Sequence, residues 1–186
     1  MKKSFYAERV SGTARYDLPP SLSREIGRII VHWAHFEHLV QDMVWQSIPV
    51  SQAVGRTAVR EPAVTDRLEM LRDLVKLRDV QWDDELFNSI LDRAKLMVAR
   101  RNLLAHGIWW NHSGGTMNMD DIWHVQLARG SWPKTLSELV EGSKKVMPEM
   151  VPMELSKLRT ATSEIVQLIG DLKKLRASAA ASPPSP

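Results

Sequence analysis

Three residues able to act on a phosphodiester stand within one short stretch, Arg100-Arg101-Asn102-Leu103-Leu104-Ala105-His106. The His106 imidazole titrates near neutral pH, so it can give or take a proton. The planar guanidinium of Arg101 can hold two oxygens of a phosphate. Asn102, four residues before His106, falls on nearly the same face of a helix and can orient the imidazole or a ribose. Arg100 adds a second cation for a substrate phosphate. Cleavage of RNA by its own 2′-hydroxyl needs these parts: proton transfer at the attacking and leaving oxygens, and positive charge at the phosphate. One histidine supplies one proton-transfer group, and a symmetric dimer would supply two. Against this, a helix C-terminus presents carbonyl oxygens, which disfavour an anion, and the two arginines must overcome them.

The stretch closes a long amphipathic run. Gln81-Trp82-Asp83-Asp84-Glu85 opens a helix with acidic residues in its first turn. Phe87, Ile90, Leu91, Ala94, Met97 and Val98 form its apolar stripe. Stepping on by three and four brings Arg101, Asn102 and Ala105 to the inward side, and Gly107 then supplies a stop. An earlier helix, capped by Ser21 or Ser23, carries Ile26, Ile30, Trp33, Val40 and Val44 on one seam, with Glu37 between them. A buried carboxylate needs a partner, so Glu37 is expected to pair with Arg101; the alternative is a helix edge where Glu37 reaches water. His32, His35 and His38 lie on this helix too, but their positions drift about 60° per step, too wide an arc for one metal ion.

Thr65 is expected to cap a helix to about Arg78, with Leu68, Leu71, Leu74 and Val75 inward. After His106 the period changes. Ile108-Trp109-Trp110 and Ile122 to Leu127, set around Gly114-Gly115, predict an antiparallel meander of two or three strands. Residues 130–150 stay open between a short helix at Pro133 to Leu136 and a strand at Lys144 to Met150. A last helix is expected from about Met153 to Arg176, with Leu155, Leu158, Ile165, Leu168, Ile169 and Leu172 inward.

The chain has 186 residues, 44% of them hydrophobic, enough for one domain with a substantial core. The expected organisation is an arm at 1–20, one helical domain at 21–176 with its β insertion at about 107–150, and a disordered tail at 177–186. With no cysteine, disulfides and thiolate metal sites are excluded. The net charge of +3 favours anionic partners only mildly. No apolar run approaches the length of a bilayer span, and charge follows Met1-Lys2-Lys3 at once, so no membrane association and a cytoplasmic location are expected. The seven tryptophans suit a core or an oligomer interface.

Arg101-Asn102-x-x-x-His106 resembles the R-N-x-x-x-H signature of HEPN domains, helical bundles found in prokaryotic defence, toxin and RNA-processing proteins. The likeness covers most of residues 21–176, although its sharp part is the six-residue motif. It implies a mainly α fold, an up-and-down HEPN-like bundle with a small β-meander inserted before the last long helix. It also implies a metal-independent endoribonuclease with no cofactor, whose site is shared across a homodimer. Arg101, Asn102 and His106 would be catalytic, Arg100 would bind substrate and Glu37 would support them. RNA, a second copy and an antitoxin or other protein are the partners it suggests. The alternative is a non-catalytic HEPN-like module for dimerisation or for binding RNA or a protein partner.

Overall fold

The computed structural model describes residues 18–48, 51, 62–78, 80–111, 123–126 and 150–181. Among these the protein is mainly helical. The order is α1 (Pro20–Gln46), α2 (Val64–Leu77), α3 (Asp84–His106), β1 (Ile108–Asn111), β2 (Trp123–Gln126), β3 (Met150–Met153) and α4 (Leu155–Ala181). No helix among the described residues is long and apolar enough to cross a membrane. The connection at 52–61, the open region at 130–149 and the arm at 1–17 lie outside the described residues.

Local chemistry sets the helix ends. At the start of α3, the Asp83 carboxylate accepts a hydrogen bond from the Leu86 N–H at 2.9 Å, an N-cap that satisfies one of the free donors of the first turn. Trp82, just before that cap, stacks on Phe87 at a ring separation of 4.5 Å. The pair clamps the entering chain to the first turn as a hydrophobic staple does. At the other end, the Gly107 N–H donates to the Leu103 carbonyl at 2.8 Å and closes the last turn. Thr65 does not cap α2. Ala63 holds the cap position, and the Thr65 hydroxyl donates instead to Asp66 Oδ1 at 3.4 Å. Helix α4 runs on to Ala181, past the expected end at Arg176. Four of its last five residues are alanine, the best helix former, which carries the helix on towards Pro183.

The described chain divides into two compact units, and α1, α3 and α4 each contribute to both. One unit holds α1 from Val31, all of α2, α3 up to Met97 and α4 from Ser163. Its core takes a stripe from each helix: Trp33, Phe36 and Val40; Leu68 and Leu71; Phe87, Ile90 and Ala94; Ile165, Leu168 and Leu172. Trp33 and Phe36 meet with ring centroids 5.2 Å apart. The other unit holds α1 up to Ile30, α3 from Val98, the three strands and α4 up to Thr162. Its strands pair antiparallel in the order β1-β2-β3, with Trp109 opposite Val125 and Val125 opposite Val151. Pro152 lies on β3, an edge of this sheet, where a residue without an N–H is tolerated.

The helical unit also carries an ion-pair network. Arg93 Nη2 donates to Asp171 Oδ2 at 2.7 Å, and Lys174 Nζ donates to Oδ1 at 3.0 Å. The Arg93 hydrogen bond holds the Asp171 carboxyl below its ordinary value of 3.8; burial opposes this and Lys174 assists it. A lowered folded value stabilises the protein fully above the unfolded value, and the gain is lost as pH falls through the folded one. Asp171→Asn is therefore expected to cost about 1 kcal/mol at neutral pH. Urea unfolding should show that difference shrinking below about pH 4; an undiminished difference in strong acid would contradict the assignment.

Candidate active site at the end of helix α3

The apolar stripe of α3 decides what stands at its end. Met97, Leu103 and Leu104 are all buried. Arg100 is three residues before Leu103 and four before Leu104, so it shares their face and is only 8% exposed. Arg101 and Asn102 are half-buried beside that face, and Ala105 and His106 are exposed. This corrects the expected phase, in which Arg101, Asn102 and Ala105 continued the inward stripe. The leucine pair, rather than Ala105, anchors the last turn, because deleting water contact from two large side chains outweighs one methyl group.

Arg101 and Asn102 interact directly: Arg101 Nη1 donates to Asn102 Oδ1 at 3.1 Å. Arg101 Nε is buried and has no hydrogen-bond partner. His106 is the final residue of α3, with its side chain exposed. The helix end thus brings a guanidinium, a carboxamide and an imidazole onto one turn and a half of helix, in the unit that also contains the sheet. The imidazole stands outermost. The guanidinium is held from one side by the amide. Arg100 is an arginine of the interior, engaged by its own interactions.

The buried acid of α1 is Glu25, not Glu37. Glu25 is 6% exposed, and Glu37 is half-buried. The inward face runs Leu22, Glu25, Ile29, Trp33, Phe36, Val40 and Met43, while Ile26 and Ile30 are only half-buried. Trp33, Val40 and Val44 fit both this seam and the expected one. Phe36 decides between them, because the large ring rather than the neighbouring carboxylate takes the core position. Arg28 Nη1 donates to Glu25 Oε1 at 3.1 Å. The Thr162 hydroxyl lies 3.2 Å from Glu25 Oε2 and 3.1 Å from the Leu158 carbonyl, and its single proton serves one of them at a time. Glu25 therefore ties the start of α1 to the start of α4 within the sheet-bearing unit. The expected Glu37–Arg101 pair is replaced by two local arrangements, Glu25 with Arg28 and Thr162, and Arg101 with Asn102. Sequence periodicity overlooked Glu25; its place between Leu22 and Ile29 was the available signal.

The histidines of α1 do not gather. His35 and His38 are exposed, and His38 Nε2 lies 3.6 Å from Asp42 Oδ2, one turn along the same helix. Among the described residues, no group of three or more His, Asp or Glu side chains is arranged to hold a metal ion.

No protein-family model, curated protein or solved structure matches this chain.

The two carboxylates of α1 should separate in a stability measurement. Glu25→Ala removes a buried partner of Arg28 and Thr162 and is expected to cost about 1–3 kcal/mol. Glu25→Gln keeps an acceptor and should cost less, and Glu37→Ala should stay within about 1 kcal/mol. Denaturant midpoints of the three variants check this ranking; a larger loss at Glu37 than at Glu25 would reverse it.

Proposed function

We propose that the protein is a metal-independent endoribonuclease of HEPN type, with a HEPN-like helical arrangement, whose site is completed by a second copy of the chain. The observation that carries this reading is the end of α3. It bears Arg101, Asn102 and an exposed His106 in the R-N-x-x-x-H spacing, with the arginine and asparagine already hydrogen-bonded. In the proposed reaction, an imidazole takes the proton of the ribose 2′-hydroxyl as that oxygen attacks phosphorus. The bond to the 5′-oxygen breaks, and that oxygen is protonated as it leaves. The products are a 2′,3′-cyclic phosphate and a 5′-hydroxyl. His106 from each of two protomers supplies the base and the acid. Arg101 neutralises the charge that develops on the phosphoryl oxygens. Arg100, being buried, serves this site by holding the last turn of α3 rather than by meeting substrate.

A second reading is a non-catalytic helical module that dimerises or binds RNA or a protein partner such as an antitoxin. The Arg101–Asn102 bond supports it as well, because that bond partly spends the guanidinium within the chain.

Incubation of the pure protein with mixed RNA in EDTA separates the two. The nuclease reading predicts cleavage without divalent metal. It also predicts a loss of about 10²–10⁴-fold in His106→Ala, with the fold unchanged by circular dichroism. RNA left equally intact by wild type and His106→Ala would leave the binding module as the reading.

A further inference from the structure

The contact between Arg101 and Asn102 fixes more than the guanidinium. Arginine has donors and no acceptor, so the atom of Asn102 that meets Arg101 Nη1 at 3.1 Å must be the carbonyl oxygen. That settles which way the amide faces. Its nitrogen then sits on the other branch of the planar group, carrying two N–H donors. Asn102 is half-buried, so it is within reach of solvent, and it stands one helical turn before the exposed His106. Along this turn the side chains offer N–H donors to a ligand: the remaining guanidinium hydrogens, the amide and the imidazole when protonated. The amide oxygen, the one acceptor that would repel an anion, is occupied.

We infer that Asn102 is a substrate-binding residue whose amide Nδ2 donates to a phosphodiester oxygen of the RNA backbone, held in the donor orientation by Arg101. The inference rests on reading the end of α3 as an RNA site. It departs from a role in which Asn102 orients the His106 imidazole or merely steadies Arg101. A steadying role needs only the oxygen. The binding role needs the nitrogen.

Asn102→Asp separates these roles, because aspartate is nearly isosteric and still accepts from Arg101 but has no N–H to give. Asn102→Leu, of similar size, removes both functions. Ala105→Asp places the same added charge on a nearby exposed position and controls for simple repulsion. The readout is fluorescence anisotropy with a labelled, mixed-sequence oligodeoxyribonucleotide, which keeps the phosphodiester backbone and lacks the 2′-hydroxyl, so it cannot be cleaved by this route. Circular dichroism checks folding of each variant. The expected result is that Asn102→Asp and Asn102→Leu both bind about tenfold or more weakly than Ala105→Asp, a loss of about 1.4 kcal/mol. Binding by Asn102→Asp equal to that of Ala105→Asp would overturn the inference, as would a wild-type protein that does not bind the oligonucleotide. Parallel RNA digestion in EDTA keeps the two claims apart. Intact RNA together with the expected binding pattern defeats the nuclease reading alone. RNA cleavage together with normal binding by Asn102→Asp defeats this inference alone.

Discussion

The angular phase of the apolar stripe on α3 governs the chemistry available at its end. Consecutive residues on a helix differ by 100° in direction, so two adjacent arginines cannot both face the interior. Leu103 and Leu104 claim the inward side of the last turn, and Arg100, one turn before them, goes with them. Arg101 is then turned to the margin, beside Asn102, and His106 falls on the outer side. Shifting the stripe by one residue would bury Arg101 and expose Arg100. It would also separate the guanidinium from the carboxamide that now accepts its hydrogen bond. The helix must also stop on time, and the Gly107 N–H closing onto the Leu103 carbonyl ends it one residue after the imidazole.

A second constraint acts on the same unit from below. Glu25 is a carboxylate with little access to water, and such a group is costly unless hydrogen-bonded. Arg28 and Thr162 meet it, one from its own helix and one from α4. The result fixes α1 and α4 against each other near the sheet without using any residue of the Arg101-Asn102-His106 turn. The residues proposed to meet RNA are therefore not required to hold this part of the fold together, which leaves His106 and Asn102 open to substitution without collapse.

How much of this was legible in the sequence depended on how strongly neighbouring residues competed. The mainly helical class and the α3 stripe from Phe87 to Met97 were clear, because large apolar residues recur there at steps of three and four with charged residues between them. The end of that helix was readable from Gly107. The inward phase of its last turn was not, because Arg101 and Arg100 fit steps of four and three from Met97 equally well, and only the packing of the leucine pair chose. On α1 the same ambiguity arose at Phe36 and Glu37. Periodicity cannot rank two adjacent candidates, whereas the core accepts the ring and leaves the carboxylate at the margin. Glu25 was hidden for the converse reason: its position is apolar by spacing and polar by identity, and its partner Thr162 lies far along the chain. At the candidate site, the spacing of Arg101, Asn102 and His106 was visible from the sequence; that Asn102 engages the arginine rather than the imidazole was a matter of side-chain geometry.

The central claim is chemical: an arginine, an asparagine and a histidine at one helix end direct the 2′-hydroxyl of RNA against its own phosphate. The ends of the cleaved RNA report on it most directly. Mass spectrometry of fragments formed in EDTA should find 2′,3′-cyclic phosphate and 5′-hydroxyl termini. Fragments ending in 3′-hydroxyl and 5′-phosphate, the signature of attack by water at the opposite oxygen, would contradict it, as would the absence of any fragments.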